Sequence, residues 1–345
     1  MKYHLAILGI TILCYSCSST NLMSLSVTEP APVSLPPNAK TVAVVNRSRA
    51  DDANRTIDAI HKVISLESKS LQTEGAKASV DGLTNELTKT GRFTNIRSLD
   101  KLDLRSYGAG VFPSALPWDS VEKICSQSNT DLLFSLELFD AESNVGIGAG
   151  PAALRTALGN IPAITQQVNM NTQVKTGWRI YDPSSRTILD EYMLSRNFSF
   201  QTRGFDPSSI VGRKEAVKDA GTNAGQAYAS RIAPYSIRVS RFYYVRGNGN
   251  FTIATRMART GNWDGAAKVW QQETNNSSHK AAGRACYNMG IISEINGDLD
   301  GAIQWAQKAY EMYNNRLALS YINVLRQRQS ANEVLKSQTE VTGNP

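Results

Sequence analysis

The sequence predicts an α+β protein: an N-terminal α/β sandwich-type module, a mixed sheet with helices, followed by a short all-α helical-repeat module. Three observations predict it. Apolar runs of strand length, such as TVAVVN at 41–46, alternate with helix-period segments through the first two thirds of the chain. Two long alternating runs then meet at the turn Asp182-Pro183-Ser184-Ser185, as the arms of a hairpin do. Beyond residue 258 the chain repeats itself at a fixed offset.

In chain order, the first segment reads MKYHLAILGITILCYSCSST: Lys2, an apolar run from Leu5 to Leu13, then small polar residues. A bilayer-spanning helix needs about 20 apolar residues, so this shorter run reads as a signal-peptide core. The Ser16-Cys17 step resembles the cleavage site of a bacterial lipoprotein, where a small residue precedes the Cys that becomes the lipidated first residue. It departs from that pattern in carrying Cys14 where a Leu is usual, with Leu13 one place further back. Residues 1–17 are therefore expected to form a lipoprotein signal peptide with a lipidated Cys17. That expectation places the protein in the cell envelope, held by acyl chains to a membrane, the outer membrane in particular. Residues 18–40 carry Pro30, Pro32, Pro36 and Pro37 and are expected to be an extended tether, up to about 70 Å long.

Composition bounds the rest. Apolar residues at 41% and charged residues at 19%, with 24 Gly and 12 Pro in 345 residues, exclude collagen, coiled coil and wholesale disorder. The net charge of +7, which drops by one when Lys2 leaves, calls for an anionic neighbour. Outside the cytoplasm that neighbour is lipid, lipopolysaccharide or cell-wall polymer, and no nucleic-acid partner is expected. Cys125 and Cys286 sit in apolar helical patterns and read as unbridged core residues.

The α/β module is expected over 41–247. TVAVVN reads as a strand covered on both faces. Ile57, Ile60 and Ile64 mark one helix; Val80, Leu83 and Leu87 mark a second that closes at Gly91. FTNIRSL at 93–99 is a strand, WDSVEKICSQ a helix, and DLLFSLELFDAE at 131–142 a third strand. The hairpin follows, then a small-residue helix, RKEAVKDAGTNAGQAYASRIAP, and a last strand at 237–245 stopped by GNGN. The strings AVVN, GRFTNIRSL, Asn129 to Leu133 and WRIYDPSSRTILDE resemble the periplasmic α/β module of the curli-pore and penicillin-binding-protein-activator lipoproteins, over roughly residues 40 to 246. That resemblance implies an envelope lipoprotein domain used for protein contact, with no catalytic residue to carry over.

In the C-terminal region, expected over 248–330, Gly261, Trp263, Ala266 and Trp270 align with Gly297, Leu299, Ala302 and Ala306. The 36-residue offset is close to the tetratricopeptide period of about 34 residues, and the segment resembles two such repeats with a capping helix. Small residues at Ala266, Ala285 and Ala302 let neighbouring helices approach. Residues 331–345 are expected to be a disordered tail.

Catalytic chemistry is sparse. After the leader only His61 and His279 remain, and no HExxH, GxSxG or mature CxxC occurs. Ser-x-x-Lys and Lys-Thr-Gly strings occur in the wrong order for penicillin-recognising enzymes. The glycines at 146, 148 and 150 lack the third position of a dinucleotide fingerprint. No enzyme, cofactor or metal is expected. Two surfaces are left. Repeat arrays bind in the groove between first helices, which gives Arg284, Asn288, Asn315 and Tyr321 as solvent-side, partner-binding candidates. RVSRFYYVRGNGNF, in an acid-free stretch between Asp219 and Asp264, offers Arg238, Arg241, Tyr244 and Arg246 as either a domain seam or a polyanion surface. The expected function is a non-catalytic scaffold binding other envelope proteins; the alternative is a carbohydrate- or peptidoglycan-binding surface protein.

Overall fold

The computed structural model describes residues 19–48, 59–99, 102, 104, 112–147, 167–203 and 207–339. The strands are β1 (Thr20–Glu29), β2 (Thr41–Asn46), β3 (Asn95–Ser98), β4 (Leu132–Ile147), β5 (Gln167–Asp182), β6 (Thr187–Arg203) and β7 (Tyr235–Tyr244). The helices are α1 (Ala59–Thr90), α2 (Trp118–Ser128), α3 (Pro207–Ala229), α4 (Gly249–Arg259), α5 (Trp263–Glu273), α6 (His279–Ile295), α7 (Leu299–Glu311) and α8 (Arg316–Thr339). The class is α+β, a mixed sheet with helices followed by the helical run α4–α8. Two compact units result. One takes the chain up to Pro30 together with Tyr235–Ser337, the other Ala31–Pro234 with Gln338–Pro345.

The larger unit is a five-stranded sheet of order β3-β2-β4-β5-β6. β2 runs parallel to β3 and β4, while β4, β5 and β6 form an antiparallel meander. The four apolar residues Val42 to Val45 are buried because this strand is covered on both faces. Val42 and Val44 face a core with Leu83, Phe134 and Trp178, beneath α1 and α3. Ala43 and Val45 face the opposite core with Val121, Leu133 and Tyr181, beneath α2.

Where the periodicity suggested two helices, α1 is continuous: Ile60 and Ile64 belong to the same helix as Val80 and Leu87, and Ile57 lies outside the described residues. The intervening stretch has no Pro to break it, and its one glycine, Gly75, serves packing, since a Cβ there would fall 2.4 Å from the Phe139 ring; glycines further along do the same. A Cβ on Gly225 of α3 would fall 1.9 Å from the Ser79 carbonyl oxygen, and one on Gly82 of α1 would fall 2.3 Å from that of Thr222. Backbones meet there directly, and Ser79 Oγ donates to the Gly221 carbonyl at 2.8 Å.

The smaller unit corrects the expected tether. Residues 20–29 form β1, antiparallel to β7 in register from Thr20↔Tyr244 to Glu29↔Tyr235. Met23, Leu25 and Val27 alternate at period two, a strand pattern whose inward face is covered, with Met23 and Val27 buried. Beyond it Val33 and Ala39 are also buried, so the proline-bearing stretch is packed against its unit instead of extending freely. The expected boundary at 247 shifts accordingly, because β7 belongs with the helices. The expected tail is shortened too, since α8 continues to Thr339.

The repeat is visible atom by atom. Gly261 and Gly297 both have φ of +80°, the left-handed conformation that ends a helix at little cost for glycine. Directly after them, Asn262 and Asp298 cap α5 and α7, each accepting at 2.9 Å from the amide of Gly265 or Gly301. In GNGN, Asn248 caps α4 and, with Asn250, donates to the buried Glu273 carboxylate. Phe251, Trp270, Cys286 and Leu325 anchor the shared core.

Candidate functional site

The face of the helical unit where a partner was expected holds the end of the chain's own strand β7. α6 is buried over almost its whole length, including polar Asn288 at its centre. The Asn288 side chain acts as a backbone surrogate: its Oδ1 accepts from the Tyr244 amide at 2.7 Å, and its Nδ2 donates to the Tyr244 carbonyl at 2.8 Å. The Tyr244 ring stands edge-on to Tyr287, 5.3 Å between centroids, and its hydroxyl donates to Asn315 Oδ1 at 3.0 Å. Asn315 Nδ2 in turn donates to the Gly283 carbonyl at 3.2 Å. Arg284 lies over the Tyr244 ring and donates to the Arg246 carbonyl at 2.7 Å. Burial pushes the Tyr244 phenol above its ordinary value, although the Asn315 contact opposes this.

Six residues further along α6, Glu294 ties β7, α6 and α8 together. Its carboxylate is fully buried and receives Arg241 in a bidentate grip, Nε to Oε2 at 2.9 Å and Nη2 to Oε1 at 2.8 Å. Tyr321 donates to Oε2 at 2.7 Å, and Arg328 donates to Oε1. Burial alone would raise this carboxyl; the Arg241, Tyr321 and Arg328 donors outweigh it and hold the group below its ordinary value. Burial, with the Glu294 charge beside it, drives the Tyr321 phenol far upward.

The partner-binding candidates therefore stand corrected in role. Asn288, Asn315 and Tyr321 are buried, not solvent-side, and Arg284 is half-buried. Arg284, Asn288 and Asn315 all contact the end of β7, and Tyr321 reaches the strand through Glu294. What helical periodicity could not show is that a strand from the same chain already covers the face where a partner was expected. The Arg/aromatic group splits: Arg241 and Tyr244 are internal, whereas Arg238 and Arg246 are exposed. Tyr244 offers no free ring face to a sugar. Cys17 and most of the Gly-rich 144–159 segment lie outside the described residues.

The larger unit holds a buried carboxylate braced in the same way, which composition alone did not single out. At the β4 bulge between Leu136 and Leu138, Glu137 accepts from Tyr181 at 2.7 Å and pairs with Arg47, with Arg179 3.8 Å away. Burial outweighs these partners and raises this carboxyl, while Tyr181 is pushed up to about 12, first by burial and then by the Glu137 charge. The signal was present as a lone acid inside the apolar run LLFSLELF. Its neighbours are held too: Arg179 donates to the Pro113 carbonyl at 2.7 Å and lies over the Phe112 ring.

Elsewhere in this unit a shallow depression of about 340 Å³ is lined by Glu122, Cys125, Asp131 and Asp182. Both aspartates are committed to backbone amides. Asp131 accepts from the Lys40 and Thr41 amides, and Asp182 from the Ser184 amide. Cys125 and Cys286 are buried free thiols, each pushed up to about 11 by burial, which leaves little nucleophilic thiolate at neutral pH. Among the described residues no group of His, Cys, Asp and Glu could hold a metal ion.

Fold and site together define a two-unit α+β chain whose polar clusters brace the structure. Residues 39–244 match a domain of unknown function, DUF8603, and residues 252–327 match a second, DUF6340. The first covers more than half of the chain, and the protein belongs to the DUF8603 family. No curated protein matches it. Among solved structures it is similar to a neuraminyllactose-binding hemagglutinin homolog from Helicobacter pylori, at 11% identity and a TM-score of 0.28, over 59% of this chain and 87% of that one. It is also similar to PelC dodecamers from Paraburkholderia phytofirmans, at 12% and 13% identity with TM-scores of 0.23, over 61% and 62% of this chain and 99% of each PelC chain. Likenesses this faint support no inference about what the chain does.

Proposed function

We propose that this protein is a non-catalytic interaction scaffold of the cell envelope, a lipoprotein anchored through Cys17, whose tetratricopeptide-like helical unit binds another envelope protein. The observation that carries the reading is the outer surface of α8. Leu317, Leu319 and Val324 are 40%, 45% and 37% exposed, and Met312, just before the helix, is 64% exposed. Helical arrays need a polar outer face on their terminal helix for solubility. Here Leu317 and Val324, seven residues apart on one face of α8, put apolar side chains among the exposed Arg316, Asn323 and Arg326, a mixture that suits a surface another protein covers. The filled inner face turns attention to the same place, because the groove such arrays ordinarily offer is occupied by β7. A photo-crosslinker at Val324, used in the native envelope, should give a discrete adduct that Leu317→Glu abolishes with no loss of folding. Adducts no different from those at an exposed polar site such as Asn323 would refute the reading.

A further inference from the structure

The ordering of β1 changes what an anchor at Cys17 would do. We propose that the Leu22–Phe242 end of the β1–β7 ribbon is a membrane-contact surface, resting on anionic lipid headgroups beside the acylated residue. The proposal rests on the lipoprotein reading above. The ribbon's hydrogen-bonded ladder reaches Ser19, whose carbonyl accepts from the Val245 amide at 3.0 Å. Cys17 is two residues further back, a reach of at most about 7 Å even when fully extended. An acyl chain there cannot act through a long stalk. It holds the first rung of the ribbon at the bilayer surface.

A rung close behind it is dressed for such a position. Leu22 and Phe242 face each other in register and are 56% and 50% exposed. The opposite face of the ribbon is already packed, with Met23 and Tyr243 in the helical core, so the exposed pair is no part of that core. On the same face the last pair differs, Thr20 being half-buried and Tyr244 turned into the helical core, so the outward surface starts at Leu22 and Phe242 and continues through Ser24, Ser26 and Thr28 on β1 and Ser240, Arg238 and Ser236 on β7, with no carboxylate. Arg238 on this face and Arg246 just past the strand are exposed cations. Apolar side chains at the boundary, with a cation four residues to either side of Phe242, match an interface of hydrocarbon and anionic headgroup.

The test uses the full chain made with its own leader, with acylation of Cys17 checked by an alkyne fatty acid. The acylated protein is placed in vesicles of phosphatidylethanolamine and phosphatidylglycerol. A polarity-sensitive fluorophore is attached at Phe242→Cys or, separately, at Thr28→Cys, which lies at the far end of the same face; the buried Cys125 and Cys286 compete little for label. Nitroxide-bearing lipid should cause loss of emission at position 242 and far less at position 28. Equal emission at the two sites in an acylated chain would overturn the contact and leave the anchor standing. A position-242 probe shielded from water but untouched by lipid nitroxide would also overturn it, because a protein neighbour, such as a second copy, would then cover the pair. Absence of fatty-acid label on Cys17 is a separate failure, which removes the lipoprotein reading and this proposal with it.

Discussion

Replacing Glu294 with Gln tests the central brace of the helical unit. The change keeps shape and removes the charge that Arg241 and Arg328 share, leaving two guanidinium groups 11% and 17% exposed without a counter-ion. Breaking a fully buried pair costs about 3–5 kcal/mol; because these arginines keep some solvent, we expect about 3 kcal/mol. At about 1.4 kcal/mol per decade, the most protected amides of α6 should exchange roughly a hundredfold faster, provided they open with the whole unit. The carboxyl is lowered in the folded state, so unfolding takes up a proton as pH falls and the stabilisation is full above the ordinary value of 4.5. The gap between wild type and Glu294→Gln should therefore narrow as pH falls through and below that value. Loss of less than about 0.5 kcal/mol, or a gap constant in pH, would refute the assignment of Glu294 as the brace.

Three further outcomes follow from the same geometry. Gly225→Ala should destabilise the larger unit by about 1–3 kcal/mol or more in thermal melts, since its Cβ would meet the Ser79 carbonyl, whereas Gly249→Ala, with open space around it, should be nearly neutral. Asn288→Leu should cost about 1–3 kcal/mol by stripping both partners from the Tyr244 backbone, with faster exchange at the Tyr244 amide as the readout. Glu137→Gln should cost less than Glu294→Gln and show the opposite pH trend. The Glu137 carboxyl is raised by burial, so its ionisation disfavours the fold as pH rises through its folded value, and wild type should lose ground to Glu137→Gln over that interval in urea titrations.

Local pattern made much of this architecture legible. TVAVVN announced a two-face-buried strand, and the Gly261/Gly297 correspondence announced two like helical segments, though the capping roles of Asn262 and Asp298 emerge only in the structure. What stayed hidden was non-local. β1 reads as a period-two strand, but the prolines that follow it invited a tether, and nothing nearby reveals a partner that is 222 residues away at the Asn21–Tyr243 contact. Asn288, Asn315 and Tyr321 were expected on the solvent side, and their burial depends on β7 and the neighbouring helices, which local pattern does not reveal. Glu137 and Glu294 each appear as a single acid in an apolar setting, a cue that marks burial without naming the arginines that meet it.

The pairing of β1 with β7 sets a timetable for the chain. During synthesis β1 emerges first and has nothing to pair with until β7 and the helices behind it have followed, while the five-stranded sheet in between can already assemble. For that interval an unpaired strand edge stays available to other chains, and the serines and threonines of its outer side help keep it in solution. A stable fragment carrying the sheet alone should therefore begin near Ala31, because one that begins at Ser19 and stops before Tyr235 would keep Met23 and Val27 with nothing to cover them.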